Sequence, residues 1–149
     1  MHPIDIHPCS INDVLGRENL LEEYAAEIRA EGLPNPAPDR VLNTTLESIG
    51  AYHCIGAYLD GRMVGFVGVV VNTFPHYGRK GACTESFFVS KSHRHTRAGK
   101  LLLLAAERLA ADLGAMCLMV SSASGSALER VMSRTAGYRH SNTVYMRVL

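Results

Sequence analysis

The sequence predicts a mixed α+β domain, and three observations carry that prediction. Two β-rich runs, 52–59 and 63–72, meet at Asp60-Gly61, a pair suited to the positive φ values of a type I′ hairpin turn. An apolar run at 82–89 passes through a basic, glycine-containing loop into a helix over 98–113. A further apolar run at 116–121 follows that helix, and a strand–helix–strand crossover of this kind places its two strands parallel in one sheet. With 149 residues and 47% hydrophobic content, the chain fits one domain, 1–149, around a single core.

Taken in order, residues 4–7 alternate apolar and polar as a short strand does, and Pro8 to Asn12 supplies turn and cap chemistry. Leu20 or Leu21, Tyr24, Ala25 and Ile28 recur at helical spacing, with Glu18, Glu22, Glu23 and Glu27 on the other faces; Gly32 and Pro34 then stop the helix. Those acids read either as a solvated face or as an attractor for a cationic substrate. The segment LPNPAPDR is an extended loop, after which Asp39 caps a second helix through Leu46 or Ile49. The nearly all-apolar run MVGFVGVVV is a central strand, and Gly65 and Gly68 inside it point to a bulge or a close backbone approach. Pro75 to Gly78 form a loop before the strand at 82–89. Gly114 ends the long helix, Ser126 caps a helix over 127–134, and Gly137 closes it. The last run, 143–149, alternates Val144, Met146 and Val148 as a strand would.

Several function classes are excluded by composition. The longest apolar stretches are well short of the ~20 residues of a membrane helix, and the N-terminus MHPIDIHP lacks a signal pattern. The reading is therefore a soluble cytoplasmic protein without a membrane partner. Cys9, Cys54, Cys83 and Cys117 are scattered, which suits reduced thiols used as small apolar residues. His93 and His95 lie two apart in a loop without a nearby acid or cysteine pair, so no metal is expected; His2, His7 and Cys9 are equally weak ligands. Asn43-Thr44-Thr45 matches a glycosylation acceptor by chance. The net charge of +1 hides a division: residues 1–60 carry −7 and residues 61–149 carry +8. The basic part suits an anion, and with no long basic stripe and only 7% aromatics a compact phosphorylated ligand fits better than nucleic acid.

The phosphate-binding candidate is the loop from Lys91 to Lys100. Amides left unpaired by the first helical turn point outward there, and the helix dipole favours negative charge. A charged helix start with no ligand is the other reading of RHTRAGK. The order of elements, with Val89 followed by Arg94-His95-Thr96-Arg97-Ala98-Gly99, resembles the GNAT superfamily of acyl-CoA-dependent N-acetyltransferases. Its pyrophosphate loop is written R/Q-x-x-G-x-G/A. The run Ser126, Leu128, Val131, Met132, Gly137-Tyr138 resembles the family's C-terminal pattern. Arg97 departs from the motif by standing at the first glycine, where it must either adopt a strained backbone or point outward.

The resemblance implies a mostly antiparallel mixed sheet of about six to seven strands flanked by helices, with the fourth and fifth parallel and splayed. It implies acetyl-CoA as cosubstrate on Arg94, His95, Thr96, Arg97, Ala98, Gly99 and Lys100, its pantetheine arm beside Phe88 and Val89. Glu85 takes the place of the strand-4 general base. Alternation puts it on one face with Phe87 and Val89, and partial burial there would raise its pKa; an edge carboxylate or an ion pair to a loop arginine is the alternative. Ser133 stands where the family often has a tyrosine general acid, so it would orient a water; Tyr138 and Tyr145 read either as stand-ins or as plain core or surface tyrosines. His76 and Tyr77 line an acceptor pocket or form a plain turn. The activity implied is direct acetyl transfer to a primary amine of a small molecule or protein, with a homodimer compatible by analogy. A non-catalytic acyl-CoA-binding or assembly module, to which Ser133 and Arg97 point, is the other reading.

Overall fold

The computed structural model describes residues 2–149. The chain opens with an edge strand, β1 (Asp5–Cys9), which extends two residues beyond the sequence reading and includes Pro8. An edge strand tolerates proline because one side of its ladder needs no donor. A short helix, α1 (Ile11–Leu15), follows. Ser10 caps it: its Oγ accepts from Asp13 N at 3.1 Å while the Asp13 carboxylate accepts from Ser10 N at 2.9 Å. This reciprocal box satisfies two amides that would otherwise be orphaned. The acidic helix α2 (Glu18–Ile28) ends at Arg29, ahead of Gly32, and α3 (Arg40–Ser48) begins where Asp39 accepts from Leu42 N at 2.9 Å.

The sheet is built on β2 (Tyr52–Leu59), β3 (Arg62–Phe74) and β4 (Arg79–Val89). β2 and β3 are joined by the expected turn, in which Asp60 has φ 50° and Gly61 φ 76°. After β4, a single 3₁₀ turn (Lys91–His93) leads to the long helix α4 (Ala98–Asp112), then to β5 (Leu118–Met119) and α5 (Ala127–Met132). The strand order is β1-β2-β3-β4-β5, antiparallel throughout except for the parallel β4–β5 pair.

Helix α4 covers one face of the sheet. Ala98, Leu102, Ala106 and Ala110, each four residues from the next, pack on Ile55, Ala57, Val64, Val67, Val69 and Val89. The opposite face carries Tyr52, Cys54, Met63, Phe66 and Phe88 against Ile11, Val14, Leu20 and Tyr24 of α1 and α2.

The sheet has five strands among the described residues, fewer than the six to seven expected. β5 is only two residues long, and 143–149 forms no strand despite its alternation. A strand needs a ladder, and two residues of β5 give none of matching length. The tail instead passes near the α2–α3 loop, where Val148 Cγ2 lies 2.9 Å from the position a Cβ on Gly32 would take. Val144 and Tyr145 are left exposed.

Candidate active site

The site is organised by an irregularity in β4. Gly68 of β3 pairs with Ser86, and the next residue, Val69, pairs with Thr84, so Glu85 is an extra residue opposite that step. Gly68, one of the two β3 glycines read as marking a bulge or a close backbone approach, lies opposite this step, although the extra residue is in β4. The extra residue reverses the side-chain alternation counted back from Val89. Phe87 and Val89 pack toward α4, whereas Phe88 belongs to the α2-side cluster. The Glu85 carboxylate joins the α2 side, accepting a hydrogen bond from Tyr52 Oη at 3.1 Å. This corrects the expectation that Glu85 shares a face with Phe87 and Val89 and is partly buried: the residue is exposed. Tyr52, only 3% exposed, is the group that sequence reasoning missed. Burial, with Cys54 and Glu85 nearby, drives its phenol far above the ordinary range, so it remains a proton donor. Burial and the Glu85 charge also push the Tyr24 phenol up to about 12.

At the end of β4 the chain enters the basic loop, and α2 holds it there. Glu23 accepts from Ser90 Oγ at 3.1 Å and from Lys91 N at 3.2 Å. One turn along, Glu27 pairs with Arg94. Arg94 also donates from Nε to Val89 O at 2.9 Å and sets its guanidinium carbon 5.4 Å from the centre of the Phe88 ring. The first arginine of the loop is thus tied to protein groups. Glu23 and Glu27 form a clamp on the loop, a role that neither sequence reading of these acids anticipated.

Beyond Arg94 the loop is open. Thr96 Oγ1 donates to His93 O at 2.6 Å and accepts from Ala98 N at 3.2 Å. The amides of His95, Arg97, Gly99 and Lys100 have no hydrogen-bond partner among the described residues. Arg97 and Lys100 are exposed and form no ion pair among the described residues. Arg97 has φ −83° and ψ 2°, the bridge-region conformation of turn residues, so standing in a glycine's place does not force it into the left-handed region. A Cβ on Gly99 would meet only Val89 Cγ2, at 3.9 Å. Unpaired amides at a helix N-terminus beside two cations suit a diphosphate.

β4 and β5 part company between these groups. Their last paired residues are Cys83 and Met119, and β4 runs on to Val89 without a neighbour from β5. Ser121 N donates to the buried Thr84 hydroxyl at 3.2 Å, a side-chain bond in place of a ladder rung. The gap is a cleft of about 100 Å³ lined by Tyr24, Glu27, Glu85, Phe88, Ser122 and Ser126, among others. A larger cavity of about 560 Å³ lies between β1, β2 and α4 and shares none of those residues. The cleft is the better candidate because the carboxylate and the unpaired strand meet there.

The other sequence-selected residues lie outside the cleft lining. Ser133 ends α5, exposed, with its hydroxyl donating to Arg130 O at 3.0 Å. Tyr138 donates to Glu107 of α4 at 2.9 Å. Tyr145 is 92% exposed in the tail. His76 and Tyr77 are exposed at the β3–β4 turn, eight or nine residues before Glu85 and roughly 25 Å from it along the strand.

Comparison with known proteins agrees with this geometry. Over 97% of its length the chain superposes on 99% of a ribosomal-protein-alanine N-acetyltransferase from Brucella melitensis biovar Abortus 2308, with TM-score 0.75 and 20% identity. It superposes on an aminoglycoside acetyltransferase from an uncultured soil metagenomic sample with TM-score 0.76 and 17% identity, covering 98% of this chain and 96% of that one. A GNAT family acetyltransferase of Staphylococcus aureus gives TM-score 0.68 at 17% identity over the whole of both chains. At such identities the likeness is one of fold. No curated protein matches the sequence. Residues 18–137 match the acetyltransferase (GNAT) family, a stretch from the first residue of α2 to the glycine after α5. The chain is a member of the GNAT acetyltransferase family.

Proposed function

We propose that residues 1–149 act as one cytoplasmic domain that transfers an acetyl group from acetyl-CoA to a primary amine of a small molecule or protein. The observation that carries this reading is the unpaired stretch of β4, which leads from the Glu85 carboxylate to the open amides of the loop. Those amides, with Arg97 and Lys100, would hold the pyrophosphate, and Phe88 and Val89 border the groove for the pantetheine arm. When bound, acetyl-CoA supplies an acyl thioester whose carbonyl carbon is the electrophile.

Glu85 takes a proton from the acceptor ammonium, directly or through one water, and leaves a neutral amine able to attack. Tyr52 holds the carboxylate while it does so. Amides along the unpaired stretch of β4 polarise the acyl oxygen. The C–N bond forms as the C–S bond breaks; the departing thiolate, with a free pKa of about 8.5, leaves with little help near neutrality and takes up the proton that the new amide nitrogen sheds, directly or through water. This accommodates the exposed position of Ser133, whose part would be to orient a water. The named acceptors of the structural neighbours, a ribosomal-protein alanine and aminoglycosides, are both amines, which supports that acceptor class here.

Release of CoA thiol against a panel of amines tests the reading. Glu85→Gln should lower kcat by about 10²–10⁴-fold, the usual span for a general base, with acetyl-CoA affinity unchanged by calorimetry. Unchanged turnover would remove Glu85 from the mechanism. A second reading, a non-catalytic acyl-CoA-binding or assembly module, is favoured by one observation: the Ser133 hydroxyl is turned back onto its own helix. Binding of acetyl-CoA without turnover on any amine would select it.

A further inference from the structure

We infer that Tyr52 is a positioning residue for Glu85, and that Gly68 is the opening through which it acts. The inference rests on the assignment of Glu85 as the base and adds to it the group that holds the base in place.

The argument is one of access across the sheet. Tyr52 belongs to β2 and Glu85 to β4, with β3 lying between them. Tyr52 pairs with Val70 and Cys54 with Gly68, so the tyrosine ring must pass over β3 to reach the far strand. It passes at Gly68. A Cβ built there would lie 2.2 Å from Tyr52 Oη, 2.8 Å from its Cζ and 2.7 Å from Ser86 Oγ, distances that nonbonded atoms do not tolerate. Gly68 is also where the β3–β4 register shifts, which turns Glu85 toward the tyrosine.

Three local features therefore serve one contact: a glycine that clears the path, a bulge that turns the carboxylate, and a buried hydroxyl that donates to it at 3.1 Å. Glu85 is itself exposed, and its carboxylate has no other hydrogen-bond or ion-pair partner among the described residues; Tyr52, 3% exposed, is held by the core. A rigid donor on an exposed carboxylate restricts which oxygen is presented to the acceptor amine. Such support for a catalytic group acts on turnover rather than on cosubstrate binding.

The experiment is a cycle on the chain of residues 1–149: wild type, Tyr52→Phe, Glu85→Gln and the double variant, each assayed for kcat and for the KM of acetyl-CoA with one active amine. Tyr52→Phe should lower kcat by roughly 10- to 100-fold, the loss of a hydrogen bond to a charged group, with KM unchanged. In the Glu85→Gln background the same substitution should cost less than about 3-fold, because contacting residues are not additive. Gly68→Ala keeps both functional groups but obstructs the path; it should reproduce the Tyr52→Phe loss and add little to it in combination. Equal losses from Tyr52→Phe in both backgrounds, or a Tyr52→Phe enzyme as fast as wild type, would overturn the inference while leaving Glu85 as base. A Glu85→Gln enzyme as fast as wild type would instead overturn the underlying assignment. If Gly68→Ala does not fold, the Tyr52–Glu85 cycle decides alone.

Discussion

On the α4 side of the sheet, Ile55, Val64, Val67, Val69 and Leu102 form an aliphatic layer without a titratable side chain. On the α2 side, the equivalent layer holds Tyr52, Cys54, Phe66 and Phe88, with Tyr24 edge-on to Phe66 at 5.4 Å. Both faces exclude water, but only the second carries titratable phenol and thiol groups in its core cluster, and only the second reaches Glu85 and the loop clamp. The first face gives the sheet its cohesion. The second gives up some apolar burial to hold groups that donate, accept and ionise. Substitutions should therefore separate by face, lowering stability on one and turnover on the other.

The largest effect on stability belongs to the α4 face. Leu102 is fully buried at the centre of the helix contact. Leu102→Ala should destabilise the fold by about 2–5 kcal/mol, the sum of lost transfer energy and the cavity left behind. Urea melts would measure it, and turnover per folded molecule should stay near wild type. A variant that keeps its stability but loses turnover would break the separation of the two faces.

The contrast also explains what could be read in advance. The α4 face follows from spacing: apolar residues three or four apart in 98–113 and a nearly continuous apolar run in β3 leave few alternatives. The Asp60-Gly61 turn was equally legible, since its chemistry is local. Helix α1 was missed although Ser10 and Asp13 show the capping-box spacing. The orientation of Glu85 was not legible, because it depends on a register shift between two strands that no single strand records. Nor was the clamp: Glu23 and Glu27 look like any solvated pair until Ser90 and Arg94 arrive from about 67 residues away. At the C-terminus the pattern at 143–149 was present, but a pattern makes a strand only where a partner ladder exists.

A smaller effect tests whether the clamp belongs to function or only to packing. Glu27→Gln removes the charge opposite Arg94 but keeps the shape. Exposed or half-exposed pairs contribute little to stability, within about 1 kcal/mol, so melts should change little. The loop that Arg94 anchors should loosen, and acetyl-CoA KM should rise by about 3- to 10-fold, equivalent to roughly 1 kcal/mol of binding. Glu18→Gln, on the exposed first turn of the same helix, serves as the control and should leave KM unchanged. Equal KM values for the two variants would reduce the clamp to packing and narrow the functional part of the α2 face to Tyr52 and Glu85.

The last and smallest effect separates the faces by titration. Burial pushes the Cys54 thiol up to about 12 from 9.0 and the Tyr24 phenol up to about 12 from 10.0, and it raises Tyr52 further still. In the unfolded chain these groups lose their protons at the ordinary values, so above pH 9–10 the folded state holds more protons than the unfolded one. Stability is then fully present below pH 9 and falls as pH rises toward 12. Each such group contributes a slope of up to about 1.4 kcal/mol per pH unit. Tyr52→Phe removes one of them, so its stability should decline less steeply between pH 10 and 12 than that of wild type. Leu102→Ala should lower the whole curve and leave that slope unchanged, because the face it belongs to has nothing to titrate. Urea melts at pH 8, 10 and 11 would show the two behaviours. Parallel curves for wild type and Tyr52→Phe would mean that the phenol is not held in the protonated form by its surroundings, and the distinction between the two faces would then rest on turnover alone.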